Sequence, residues 1–358
     1  MTVELQKTFI SLVRLGLGLD TDKLVVFKSQ VNWAAIQALA DKQGLSAIVL
    51  DGIERLPAEI RPAKVELLQW IGEVLQSESV YAGQWKSACE MSQLFENNYI
   101  RTYILKGFVV SECYPKPGHR VSVDLDSFLV PHKGDFDAWE LGNQLMEQNG
   151  FEVDRSFYKN STIILPGLTV ENHQFMTAVR GSKRLKNLER LLQSMIHADA
   201  ELQKFEGTCM YRPPVMVSAL FLIEHAYAHF LHEGLTWRMV LDWMMFSKKH
   251  QKEFDWYALD ALIEDFGFKR FYDSFVKLGK YLLGEIQESS FTLQDKRMLE
   301  DTWADLDLHE FHGVKGKIAL AGNEIRAAWK YKYFSPDTMI GDLFRRVKAF
   351  FFERNPKI

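Results

Sequence analysis

The sequence predicts an α+β fold, a small mixed β-sheet embedded between an N-terminal and a C-terminal helical region. Two changes of period carry that prediction. Apolar residues recur at three and four positions up to about residue 100, shift toward alternation between about 100 and 180, and return to helical spacing beyond about 183. A third observation is Pro166-Gly167, which joins two alternating segments, 161–165 and 168–171, as a hairpin. The predicted divisions are a helical region over 1–100, an α/β core over 101–182 and a helical domain over 183–358.

Within the first division Leu5, Phe9, Leu12 and Val13 share a helical face, as do Leu67, Leu68, Ile71, Val74 and Leu75, with Pro57 and Pro62 between them. Tyr103-Ile104-Leu105 reads as a short buried strand. Lys106-Gly107 then turns the chain into a helix over 108–113 whose first amides would face an anion. Pro115, Pro117 and Gly118 end that helix, and the next strand spans 121–130 with Asp124 and Asp126 near its middle. Helical spacing over 135–148 precedes the hairpin. One helix is expected over 183–205 and a long one from Pro214 to about Ser247, with more helix to the C-terminus. The basic and aromatic stretch 344–352 reads as a terminal helix docked on the core, with a membrane surface or a partner as the other reading. No internal repeat or low-complexity segment interrupts the chain.

Composition narrows the function classes. Of 358 residues, 47% are hydrophobic and 13% aromatic, which is globular and argues against disorder. Forty-three basic residues against 47 acidic ones give a net charge of −4, so bulk electrostatic binding to nucleic acid is not indicated. Cys89, Cys113 and Cys209 lack CxxC spacing, which speaks against a disulfide framework or a zinc knuckle and for a reducing compartment. No secretory leader pattern and no uncharged membrane-length stretch is present, and the expected location is cytoplasmic.

Asp124-Leu125-Asp126 carries the chemistry. Side chains two apart on a strand share a face, so both carboxylates can hold one hard cation. Val121, Val123 and Leu125 alternate with Ser122, Asp124 and Asp126, predicting a polar face beside an apolar one. Strand, Lys-Gly turn, helix and carboxylate strand together form a layout for a nucleoside triphosphate with its metal. Lys106 would supply a point charge and Arg120 a bidentate fork to phosphate, although Arg120 also reads as a salt-bridge partner. Gly107 would permit close backbone approach. Glu171 is the candidate third carboxylate, with an exposed strand glutamate as the alternative. His225 and His229 have HxxxH spacing but lack the glutamate of HExxH, so core or cleft histidines are the favoured reading.

Leu105-Lys106-Gly107, Tyr114-Pro115, then Arg120 four residues before Asp124-Leu125-Asp126, resembles the motif of a little-characterised bacterial nucleotidyltransferase family of the polymerase-β-like superfamily. The likeness extends to Val170-Glu171-Asn172-His173-Gln174, to the stretch holding His225, His229, Trp237-Arg238 and Asp242, and upstream to Trp33 and 38–44. The resemblance implies magnesium- or manganese-dependent transfer of a nucleoside monophosphate, with release of pyrophosphate, to an acceptor that is a small molecule, a sugar phosphate, a tRNA end or a protein. Asp124, Asp126 and Glu171 would hold metal, and Lys106, Gly107 and Arg120 the nucleotide. His173, His225, His229, Arg238 and Asp242 would line the acceptor cleft. The superfamily's usual Gly-Ser is replaced here by Lys106-Gly107, so phosphate binding would fall to Lys106 and backbone amides. That departure keeps a second reading open, a nucleotide-binding or regulatory module without turnover, such as half of a toxin–antitoxin pair.

Overall fold

The computed structural model describes residues 1–19, 31–304 and 327–352, with side chains as far as Arg345. Its centre is a mixed sheet of six strands in the order β3-β4-β5-β2-β1-β6. These are β1 (Ile100–Ile104), β2 (Asp124–Pro131), β3 (Glu152–Asp154), β4 (Asn160–Leu165), β5 (Leu168–His173) and β6 (Met210–Tyr211). β2 lies between β1, its antiparallel neighbour, and β5, which runs parallel to it. That central place explains its near-continuous run of buried residues from Leu125 to Val130. The expected hairpin is present, with Leu165 opposite Leu168 across Pro166-Gly167.

Helices flank the sheet, as the α+β expectation required. α1 (Val3–Gly16) crosses α3 (Ser46–Glu54) closely enough that a Cβ on Gly16 would stand 1.9 Å from the Ile48 carbonyl oxygen, and one on Gly52 would stand 2.1 Å from that of Leu12. α2 (Trp33–Lys42) starts at Asn32, whose side chain accepts the Ala35 amide. α4 (Lys64–Glu96) buries Trp70, Val74, Ala88, Met91 and Phe95, and its Gln84 donates to the Ser122 carbonyl just ahead of β2. Next come α5 (Phe108–Ser111), α6 (Ala138–Gln148), α7 (Lys183–His197), α8 (Val215–His232) and α9 (Trp237–Lys249). α10 (Trp256–Asp265), α11 (Lys269–Leu283), α12 (Leu293–Trp303) and a last helix, Met339–Phe352, complete the described chain. Buried residues from all three predicted divisions form one connected core. α8 is apolar and long enough to cross a bilayer by length and composition, and 67% of that stretch is buried inside the protein.

Several boundaries differ from expectation. The helix after Gly107 stops at Ser111 instead of 113, because Pro115 disfavours helical geometry at Tyr114 and the chain tightens into three-residue turns. β2 starts at Asp124, which puts the two aspartates at its first and third positions and not near its middle. Val123 is 72% exposed and belongs to no apolar face. There the Ser122 hydroxyl donates to the Asp124 carbonyl and Arg238 to that of Val121, holding this segment off the ladder. α7 ends at His197, where Asp199 accepts the amides of Glu201 and Leu202 and turns the chain toward β6, a strand with no signal of its own. The long helix after Pro214 is two, separated at Gly234 (φ 122°) and restarted by the Thr236 cap. Side chains of the C-terminal basic stretch beyond Arg345 lie outside the described residues, and Arg345 itself pairs with Asp337 and Asp342.

Candidate active site

Parallel pairing of β2 with β5 sets Asp126 opposite Glu171 and Phe128 opposite His173. With a two-residue side-chain period, Asp124, Asp126, Glu171 and His173 then share one face. One ligand atom each from Asp126, Glu171 and His173 lies within 4.8 Å of the others, the only such His/Cys/Asp/Glu group of three among the described residues.

Asp126 is 1% exposed, and its Oδ1 lies 3.0 Å from His173 Nε2. Its Oδ2 is buried without a hydrogen-bond partner, 3.8 Å from the ammonium of Lys106. The other ring nitrogen of His173, Nδ1, donates to the Phe175 carbonyl at 3.1 Å. Nε2 therefore faces Asp126 Oδ1 and, at 3.7 Å, Glu171 Oε2, so a proton or a cation must lie among them. Oxygen donors around an orphaned buried oxygen suit a hard divalent cation, whose neighbouring ligands at ~2.1 Å would stand about 3 Å apart. The residues present fit Mg2+ or Mn2+.

Electrostatics separates the two carboxylates. Burial pushes the Asp126 carboxyl up, but the Lys106 charge and the His173 contact outweigh it and hold the group well below its ordinary range. Burial and then the charge of Asp126 push the half-exposed Glu171 up. Lys106 is buried, with Nζ 2.9 Å from His225 Nε2. Desolvation, and after it the Lys106 charge, lowers His225 far below the usual imidazole range, so its Nε2 lone pair accepts from the ammonium. Gly107 takes φ 75°, and a Cβ there would meet Leu125 Cδ1 at 3.1 Å, so the turn presses against β2 and requires glycine.

Other candidates stand elsewhere. Arg120 is not an open fork: it is 1% exposed, its Nε and Nη2 donate to the two oxygens of Asp242 at 3.1 and 2.7 Å, and Nη1 donates to Ser122. Tyr114 donates to the same Asp242 at 2.7 Å. Asp242 is thus tied to Arg120 and Tyr114, and it makes no hydrogen bond to Arg238 one turn away. Arg238 reaches back to the Val121 carbonyl at 2.6 Å, so these three residues hold the segment that leads into β2. The His225 and His229 rings lie 4.5 Å apart, centre to centre, with their planes tilted by 57°, and His229 Nδ1 meets Glu233 at 2.5 Å. Of the expected cleft residues, His173 joins the carboxylate group directly and His225 reaches it through Lys106.

Lys159 was missed. It stands just before β4, within electrostatic range of Glu171, Glu224 and His225. Its backbone carbonyl accepts the amides of Gln174 and Phe175, which fixes it beside the end of β5. No motif announces it, since only the β4–β5 pairing brings it near Glu171.

No curated protein and no solved structure matches the chain. Residues 29–284 match the model of a family described as an uncharacterised nucleotidyltransferase, a stretch that includes every site residue from Lys106 to Asp242. With well over half of its length matched and its carboxylates gathered on one sheet face, the chain belongs to this nucleotidyltransferase family and is a transferase by that membership.

Proposed function

We propose that this protein moves a nucleoside monophosphate from a nucleoside triphosphate to an acceptor hydroxyl and releases pyrophosphate, as the wider polymerase-β-like superfamily does. The observation that supports it most is the buried, unpartnered Oδ2 of Asp126 beside Glu171 and His173. Asp126 and Glu171, with Asp124 at the strand's start and His173 behind them, would hold Mg2+ or Mn2+. Such a cation, when bound, neutralises phosphate charge and polarises the phosphorus–oxygen bond.

The chain's own groups do the rest. Lys106, steered by neutral His225, sets its charge against the phosphates, and the Gly107 turn lets the backbone approach them. The acceptor oxygen bonds to the α-phosphorus as the bond to pyrophosphate breaks, and the hydroxyl proton passes to the Glu171 carboxylate. Residues 101–182 would supply this machinery and 183–358 its enclosing wall. Cytoplasmic residence accords with the free thiols of Cys89, Cys113 and Cys209.

The test uses purified protein, labelled nucleoside triphosphates, Mg2+ and a cell-extract acceptor pool. Labelled product and pyrophosphate are expected. Asp126→Asn should cut turnover by ~100-fold or more and remove the melting-temperature gain given by Mg2+ with triphosphate. Triphosphate binding without transfer to any acceptor would return the protein to the regulatory-module reading.

A further inference from the structure

A second feature, lined by none of the residues assigned so far to metal or nucleotide, is a cavity of about 510 Å3 walled by α8. Glu224, Tyr227 and Leu231 of α8 form one wall, and Tyr158, Arg180 and Tyr331 stand among the residues closing the others. This volume suits a small molecule and excludes a macromolecule.

Its wall holds an unusual group. Glu224 is 2% exposed, and its Oε2 has no hydrogen-bond partner among the described residues. Burial pushes its carboxyl up, while Lys159 and Arg184 act on it only through space. The cavity's remaining acids are committed, since Asp337 meets Arg184 and Arg345, and Arg345 also holds Asp342. Arg180 lies over the Tyr158 ring, 3.9 Å from its centre. A buried carboxyl without a partner is costly, and a ligand bringing N–H donors or a positive charge removes that cost.

Position connects the cavity to the reaction. Glu224 adjoins His225, the partner of Lys106, while Lys159 lies within range of both Glu171 and Glu224. Tyr158 adjoins Lys159, whose carbonyl accepts the Gln174 and Phe175 amides just past β5. Ala178 and Arg180 lie five and seven residues after His173, so two segments of the cavity wall leave the same end of β5. In-line displacement requires the acceptor on the side of the α-phosphorus away from the leaving pyrophosphate. With the phosphates toward Lys106 and Gly107, that side is the one of Glu171.

We infer that this cavity is the acceptor subsite and that it takes a small, ring-bearing molecule whose amine is held by Glu224, presenting its hydroxyl toward Glu171. The inference rests on the transferase reading above for the fate of that hydroxyl. Binding of the amine stands apart from it.

Matched probes test this: glucosamine against glucose, tyramine against 4-ethylphenol, and benzylamine against benzyl alcohol, titrated calorimetrically into the full-length protein. At least one amine should bind at least ~10-fold more tightly than its amine-free partner, a difference of about 1.4 kcal/mol. Glu224→Gln should abolish that preference while leaving the Mg2+–triphosphate melting shift unchanged, which also shows the variant is folded. No amine preference in any pair, or a preference that persists in Glu224→Gln, overturns the assignment. Loss of the triphosphate shift in Glu224→Gln also overturns it, because the cavity would then hold part of the nucleotide. Amine binding that depends on Glu224, without pyrophosphate release from wild type, would support the subsite and count against the transferase reading alone.

Discussion

Arg120 shows how one residue type supports two chemistries that only its surroundings separate. Four residues ahead of the aspartates, a guanidinium reads equally as a phosphate fork or an ion-pair partner, and the structure spends its donors on Asp242 and Ser122. The charge of Asp242 and its hydrogen bonds offset the burial that would otherwise disfavour the guanidinium's charge. Replacing it leaves Asp242 as an uncompensated buried charge, so Arg120→Met should destabilise the fold by about 3–5 kcal/mol. Denaturant titration reads that loss, and triphosphate affinity of the folded fraction should stay within a factor of two or so. A large affinity loss with normal stability would restore the phosphate role. Asp126, by contrast, was a candidate from local spacing, two residues after Asp124 and joined to Lys106-Gly107 and Arg120, because a strand of period two leaves both aspartates on one face whatever packs around it.

Between elements, packing is decided by contacts too close to be read from periodicity. Gly16 and Gly52 look like ordinary helix residues, yet each sits where α1 and α3 bring backbone against backbone. Gly52→Ala would drive its methyl into the Leu12 carbonyl, and overpacking of this kind costs about 1–3 kcal/mol. A lower melting temperature checks this, and an unchanged one would mean the helices separate freely. A second element-level device is His119, in the short 3-10 turn Pro117–His119. Its Nδ1 meets Asp51 of α3 and its Nε2 meets Glu78 of α4, both at 2.7 Å, with Lys116 also on Asp51. Burial lowers its basicity, but the two carboxylates outweigh that and raise it above the ordinary imidazole value. A raised folded-state value means the stabilisation is complete below pH ~6.5 and fades as pH rises through that higher value. Asp51, held low by His119 and Lys116 against its burial, loses its share only in acid. The melting-temperature gap between wild type and His119→Gln should accordingly be wider at pH 6 than at pH 9. A gap that widens with pH would contradict the latch.

For the molecule as a whole, helix, sheet and helix again were legible in order, because periods of 3.6 and 2 are local consequences of which side chains must be buried. The Lys106-Gly107 turn, the aspartate pair and the Pro166-Gly167 hairpin were legible for the same reason, each being fixed by a few adjacent residues. What spacing cannot encode is which strands become neighbours. The parallel register of β2 with β5 aligned Asp126 with Glu171 and brought in His173, and the fold delivered Lys159 and the His225–Lys106 contact from distant segments. The same non-local packing hid β6, which is two residues long and exists as a strand only because β1 offers it an edge. By itself the sequence determined the elements and the kind of chemistry their residues could support. Tertiary structure alone decided which charges meet, since a buried side chain's partner is set by packing across hundreds of residues and not by its neighbours in the chain.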